Sequence, residues 1–163
     1  MKRVLCLLMI AIVSVTVVAQ RGQDFASRFV QQCNEDTTLK CVTVSPKMME
    51  QLVNMGGDNR NDTLMTAIAK LKSARIVQAE TNGEHYYQKA EALLKKNAGR
   101  FSFVKTFRTE RSEGVFYNRQ KRSGKVVELV MVCKTTDNDM FVLVNLTGDI
   151  DEEFIEFLCF LYK

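Results

Sequence analysis

The sequence predicts an α+β domain with a largely antiparallel sheet, a C-terminal four-strand meander and helices packed mainly on one face. Residues 125–133 and 140–147 are two β-rich apolar runs around a polar turn, a pattern typical of a hairpin. Short polar turns join this hairpin to further strand-like runs from residue 101 onward, which favours a meander. Amphipathic helical stretches precede and follow these strands and would cover the sheet.

The central hairpin predicts where the interior lies. Its two runs are apolar at nearly every position and not at alternate positions. Such strands are usually covered on both faces or lie at the centre of a sheet. The rest of the chain is therefore expected to supply neighbouring strands and covering helices.

Elements before the hairpin follow from spacing and capping residues. Asp24 is suited to cap a helix that carries Phe25 and Phe29 on one face. Ser45-Pro46 favours a helix start, because serine accepts free amides and proline gives up only an unpartnered one. The predicted elements up to the meander are helices over 24–32, 46–55, 63–71 and 84–97, and strands over 39–44 and 73–79.

The meander begins with residues 101–107, which alternate so that Phe101, Phe103 and Phe107 are expected on one face. A strand over 115–119 leads to the hairpin. Asp151 is expected to cap a final helix that packs on the sheet, since its carboxylate accepts amides at the positive end of the helix dipole.

The first 19 residues differ from the rest. Lys2 and Arg3 precede an apolar run over 4–18, and Ala19 ends a stretch of small or β-branched residues. This pattern predicts a secretory signal peptide and a mature domain over 20–163. An uncleaved anchor is the alternative, but the run falls short of the roughly 20 residues of a membrane span. We expect an exported, periplasmic or secreted protein with no transmembrane segment after cleavage.

Charge and cysteines narrow the function classes. Without Lys2 and Arg3, 21 basic residues stand against 19 acidic ones, a balance that argues against nucleic acid as a partner.

The cysteines lack the Cys-x-x-Cys spacing that would indicate a redox or zinc motif. Cys133 and Cys159 are expected as buried free thiols. Cys33 and Cys41, eight residues apart, are a possible disulfide, and free thiols remain the alternative.

The order of several short motifs carries a family resemblance. An apolar strand ends in Asn145-Leu-Thr-Gly and is followed by Asp149-Ile-Asp151. Other motifs are Ser45-Pro46, Tyr86-Tyr87, Gly114-Val-Phe-Tyr and Gly124-Lys-Val-Val-Glu128. Across residues 24–160 the chain resembles an exported Gram-negative family known as domain of unknown function 4252. The resemblance implies an envelope location and an α+β fold, and it implies no activity and no catalytic residues.

No catalytic, metal or cofactor site is predicted. His85 is the only histidine, and an exposed or capping role explains it better than catalysis. Asp137, Asn138 and Asp139 could be imagined as calcium ligands, but these residues are also standard in turns and number too few for calcium.

A cluster of basic residues is the candidate binding site. Residues 100–125 are strongly basic, whereas residues 135–156 hold seven acids and no base. A basic face of this kind would meet an anionic surface or an acidic envelope protein. The alternative is that these charges only protect strand edges. The candidate residues are Arg108, Arg111, Arg119, Lys121, Arg122 and Lys125.

These observations favour a non-enzymatic binding or interaction module of the cell envelope. Two alternatives stay open: an enzyme whose site is assembled from scattered polar residues, and an envelope stress or sensor component. A deep cleft lined by convergent polar groups would favour the enzyme, and a shallow surface would favour the binding module.

Overall fold

The computed structural model describes residues 23–33, 36–55 and 62–161. The predicted signal peptide over 1–19 lies outside these residues.

Within these ranges, six strands form one antiparallel sheet in the order β1-β2-β6-β5-β4-β3. The last four strands are a meander, and the β5–β6 hairpin occupies the two central positions, so the predicted class and the central hairpin are confirmed. Each neighbouring pair is antiparallel. The strands are β1 (Lys40–Val44), β2 (Leu71–Ala79), β3 (Ser102–Arg108), β4 (Ser112–Gln120), β5 (Val126–Thr135) and β6 (Phe141–Ile150).

Five helices complete the described part of the chain, and three of them begin at the predicted caps. The side chains of Asp24, Ser45 and Asp151 accept backbone amides of the first turn at 2.8, 3.3 and 3.0 Å. The helices are α1 (Phe25–Gln32), α2 (Pro46–Met55), α3 (Asp62–Ala69), α4 (Gly83–Lys96) and α5 (Glu152–Leu161).

Helices cover both faces of the sheet, which corrects the expectation that they pack mainly on one. One buried cluster joins α1 and α4 to the sheet, and a second joins α2, α3 and α5 to the opposite face. The reason lies in β5, where Val130 and Val132 enter the first cluster while Leu129 and Met131 enter the second. A strand that is apolar on both sides must be covered on both. These surfaces are called the α1/α4 face and the α5 face below.

A bulge in β3 overturns the expected alternation of its phenylalanines. The register with β4 shifts between Phe103 and Lys105. Phe101 is therefore buried on the α1/α4 face, whereas Phe107 is buried on the α5 face. Phe103 remains exposed and meets the Tyr117 ring edge-on at 5.8 Å. One extra residue reverses the side to which the following side chains point.

The four described cysteines are free thiols. Cys133 and Cys159 are buried in the α5-face cluster, as predicted. The suggested bridge between Cys33 and Cys41 is not formed. Cys33 is buried beneath the end of α1, whereas Cys41 is exposed on the edge strand β1.

Candidate functional site

An apolar cavity of about 350 Å³ lies on the α5 face, between the sheet and the helices. The alternation of β5 and β6 directs Leu129, Met131, Val144 and Leu146 toward it. Eleven side chains of the described residues line it, and all of them are apolar. They are Met49, Ile68, Leu71, Phe116, Leu129, Met131, Val144, Leu146, Phe154, Phe157 and Leu158.

Helix α5 forms one wall of this cavity. Asp151 starts the helix by accepting the amide of Phe154. Phe154 and Leu158 are four residues apart, so they lie one above the other on the side that faces the cavity. The expectation that these two residues pack on the sheet is confirmed.

A larger cleft, of about 1020 Å³, lies on the other side of α5. Strands β3 and β4 contribute Val104, Lys105 and Asn118, and the helix contributes Glu156 and Cys159. Phe157 lines both spaces and stands between them. An apolar cavity therefore lies beside a cleft whose lining mixes apolar and charged side chains.

Acidic side chains dominate the rim of the cleft, and two of them are ion-paired. Lys125 pairs with Asp149, and Lys70 contacts Asp151 at 3.0 Å. The hydrogen bond from Lys70 lowers the pKa of Asp151, which is the opposite of what a general acid at neutral pH requires. The ionised form of the Asp151 carboxylate is therefore stabilised, and Asp151 is unsuited to donate a proton at neutral pH.

Half-buried Asn118 and buried Cys159 also line the cleft. The side-chain oxygen of Asn118 is enclosed and has no hydrogen-bond partner among the described residues. Burial raises the pKa of the Cys159 thiol, so it remains protonated and inert.

A second polar site, on the α1/α4 face, is built around the fully buried carboxylate of Glu128. Its Oε2 accepts the Nε–H of Arg119 at 2.7 Å and lies 3.8 Å from the guanidinium of Arg100. Its Oε1 accepts the backbone amide of Phe25 at 2.6 Å and the side-chain amide of Asn145 at 3.2 Å.

The hydrogen-bond partners of Glu128 show that its role is structural. Asn145 Oδ1 accepts the amide of Ala26 at 2.8 Å, so Glu128 and Asn145 together satisfy two free amides at the start of α1. The carboxylate is fully buried and accepts three hydrogen bonds from the protein, which is a structural role. Sequence reasoning assigned no role to either residue, although both lie in the motifs that carry the family resemblance.

The six basic residues predicted as a binding face are divided between two ends of β4. Arg108 and Arg111 lie at the β3–β4 turn, whereas Lys121 and Arg122 lie at the β4–β5 turn. The nine residues of β4 separate these turns by about 27 Å at a rise of about 3.4 Å per residue. The anionic-surface hypothesis therefore applies to two smaller groups.

Ion pairs occupy three of the six basic residues. Arg108 contacts Glu113 at 2.7 Å, Arg119 contacts Glu128, and Lys125 pairs with Asp149. Within the described ranges, Arg111, Lys121 and Arg122 have no such partner and are exposed.

The remaining candidates of the sequence lie at the surface. His85 is exposed and meets Tyr86 edge-on at 5.4 Å. Asp139 takes a left-handed conformation, with φ of 51°, and accepts the amide of Glu84 at 3.0 Å, which is a turn and capping role.

In the part of the chain that the structure describes, no group of three His, Cys, Asp or Glu could hold a metal. No described helix is both long and apolar enough to cross a bilayer.

Comparisons with known proteins give a family and no activity. The family described as domain of unknown function (DUF4252) matches residues 33–158. No protein with a curated description matches the chain. One matching crystal structure is that of a protein of unknown function, PA94, from Pseudomonas aeruginosa. It has 10% identity, covers 78% of each chain and has a TM-score of 0.35, too low to support an argument.

Proposed function

The chain belongs to the family of domain of unknown function 4252, and from that premise we propose that it is a non-enzymatic binding module exported to the cell envelope. Its ligand places an apolar group in the cavity beside α5. The observation that carries this proposal is the cavity itself, whose volume is about 350 Å³.

The size and lining of the cavity support binding. Protein interiors are close-packed, and voids larger than a water molecule are few. Ligand pockets usually measure about 300–1,000 Å³, and apolar cavities take up apolar molecules. A cavity of this volume is therefore large enough for a short hydrocarbon group.

The same lining supports a binding role over a catalytic one. Among the described residues, none of the eleven lining side chains can donate or accept a proton or act as a nucleophile. Catalysis needs such a group within hydrogen-bond reach of the reacting atoms. An apolar group held here would be bound and released unchanged.

The binding test is a titration of the mature protein with the naphthylamine dye N-phenyl-1-naphthylamine, which fluoresces in apolar surroundings. Val144→Phe would fill the cavity and is expected to weaken dye binding by about tenfold, a loss of about 1.4 kcal/mol. Val142→Phe is the matched control, because Val142 alternates onto the same face of β6 but does not line the cavity.

Two outcomes would contradict the binding proposal. The wild-type protein could fail to bind the dye, or both variants could bind it as tightly as the wild type. Urea unfolding of each variant confirms that it is folded before the comparison is made.

Export has its own test. Expression of the full chain in a Gram-negative host is expected to give a protein in the periplasmic or secreted fraction whose mass corresponds to loss of residues 1–19. Full-length protein that stays with the membrane fraction would contradict this part of the proposal.

A further inference from the structure

We infer that the ligand is a hydrocarbon chain that ends in a protonated amine, with the chain in the cavity and the ammonium group in the cleft. This inference rests on the proposed function and names the chemical class of its ligand. Three separate observations carry it: the shared wall, the charge of the cleft and an unpartnered acceptor.

The shared wall gives a ligand access to both spaces. Phe157 lines the cavity on one side and the cleft on the other, and it is only partly buried. Its neighbours divide between the two spaces, since Leu158 lines the cavity and Glu156 lines the cleft. A linear chain that passes Phe157 would place its apolar end in the cavity and its polar end near the charged side chains of the cleft.

Five acidic side chains line the cleft against two lysines, Lys105 and Lys125, so its net charge is negative and favours a cation. Glu152, Glu153 and Glu156 line it, are exposed, and have no ion-pair partner in the described ranges. Asp149 and Asp151 are already paired with lysines. The helix dipole accounts for acids in the first turn of α5, but Glu156 lies beyond that turn.

The unpartnered acceptor favours a cation that carries N–H groups. Asn118 is half-buried and lines the cleft, and its Oδ1 is enclosed and receives no hydrogen bond from the described residues. An enclosed polar atom without a partner is unfavourable, and most such atoms find one. A primary ammonium group can donate three hydrogen bonds, whereas a trimethylammonium group can donate none. The acceptor therefore distinguishes these two cations independently of charge.

The experiment compares head groups on one chain. Dodecylamine, dodecyltrimethylammonium and dodecanoate, each below its micellar concentration and at low salt, compete with the naphthylamine dye for the full mature protein. Dodecylamine is expected to bind about tenfold more tightly than dodecanoate, with the trimethylammonium compound between them. High salt is expected to shrink the difference, because it screens exposed charges.

A charge variant locates the effect. The double variant Glu153→Gln/Glu156→Gln is expected to reduce the preference for dodecylamine over dodecanoate by about fivefold. Each single variant is expected to reduce the same preference by a smaller factor. Glu110→Gln is the control, because Glu110 is exposed in the β3–β4 turn and lies outside the cleft.

The outcomes separate this inference from the proposed function. If the three compounds bind equally, or if the double variant keeps the full preference, the amine inference is overturned and the apolar binding site stands. Equal binding of the amine and the trimethylammonium compound would overturn the role of Asn118. If none of the compounds displaces the bound dye, the inference is overturned while dye binding still supports the cavity.

Discussion

The side-chain amide of Asn145 donates a hydrogen bond to the carboxylate of Glu128 at 3.2 Å, and both side chains are buried in the sheet. Together they hold the amides of Phe25 and Ala26 at the start of α1. Helix α1 precedes the segment that matches the family, which begins at residue 33. Two residues inside the matched segment therefore fix a helix that lies outside it.

Replacing the buried carboxylate is expected to destabilise the fold. Glu128→Gln keeps the size of the side chain but leaves Arg119 and Arg100 without their counter-charge. Removing one partner of a buried pair costs about 3–5 kcal/mol. Because both arginines are partly exposed, we expect about 3 kcal/mol or slightly less, measured by urea unfolding.

Hydrogen exchange gives the Glu128 prediction a local readout. The amides of Phe25 and Ala26 are expected to exchange faster in Glu128→Gln than in the wild type, since their acceptors are weakened or displaced. Glu110→Gln, on the surface, is expected to change stability by less than about 0.5 kcal/mol. Equal stability of the two variants would refute the role given to Glu128.

The basic residues near the β4–β5 turn are expected to behave in two different ways. Arg119→Ser removes a charged hydrogen bond to buried Glu128 and is expected to cost about 2 kcal/mol. Lys121→Ser/Arg122→Ser changes exposed side chains and is expected to cost less than about 0.5 kcal/mol. Urea unfolding checks both.

The turn variant also tests the anionic-surface hypothesis without disturbing the fold. If Lys121 and Arg122 meet an anionic surface, their replacement is expected to reduce retention on vesicles that contain anionic lipid. Unchanged retention would remove these two residues from the hypothesis.

Gly83 is expected to tolerate no side chain. It starts α4 against the β5–β6 turn, where its amide donates to the Asp139 carbonyl at 2.7 Å. A Cβ atom there would lie 2.5 Å from that oxygen and 2.6 Å from the carbonyl of Met140. Gly83→Ala is therefore expected to cost about 1–3 kcal/mol in a thermal or urea unfolding experiment.

Gly99 supplies the control for this substitution. A Cβ atom at Gly99 would meet nothing within 4 Å, so Gly99→Ala is expected to be neutral or slightly stabilising. Comparable losses in the two variants would contradict the close approach described at Gly83.

Asp36 is expected to make stability depend on pH in the acid range. Hydrogen bonds from Thr38 and Tyr86 lower the pKa of Asp36 from 3.8 to about 2. A carboxyl whose pKa is lower in the folded state stabilises the protein above its unfolded pKa. That stabilisation is lost as the pH falls from about 4 to about 2.

Asp36→Asn is therefore expected to reduce the loss of stability between pH 5 and pH 2, measured by urea unfolding. Asp137→Asn, in the exposed β5–β6 turn, is the matched control and is expected to keep the wild-type slope. A slope for Asp36→Asn that equals the wild-type slope would show that these hydrogen bonds do not stabilise the folded state.

Local patterns predicted much of the fold. The hairpin and the helix caps at Asp24, Ser45 and Asp151 each depend on residues that lie close together in the chain. A cap needs only the amides two or three positions ahead, and strand alternation needs only the next residue. Such features can be recognised in a single sequence.

The tertiary structure decided how distant residues meet. Glu128 and Asn145 acquire their roles from α1, which lies 103 and 119 residues away at Phe25 and Ala26. The β3 bulge and the cavity beside α5 likewise depend on which strands and helices become neighbours. By itself, the sequence determined the elements and their order, because periodicity and capping act over a few residues. Only the fold decided the buried polar site and the candidate ligand site, because both are contacts between segments that no local pattern brings together.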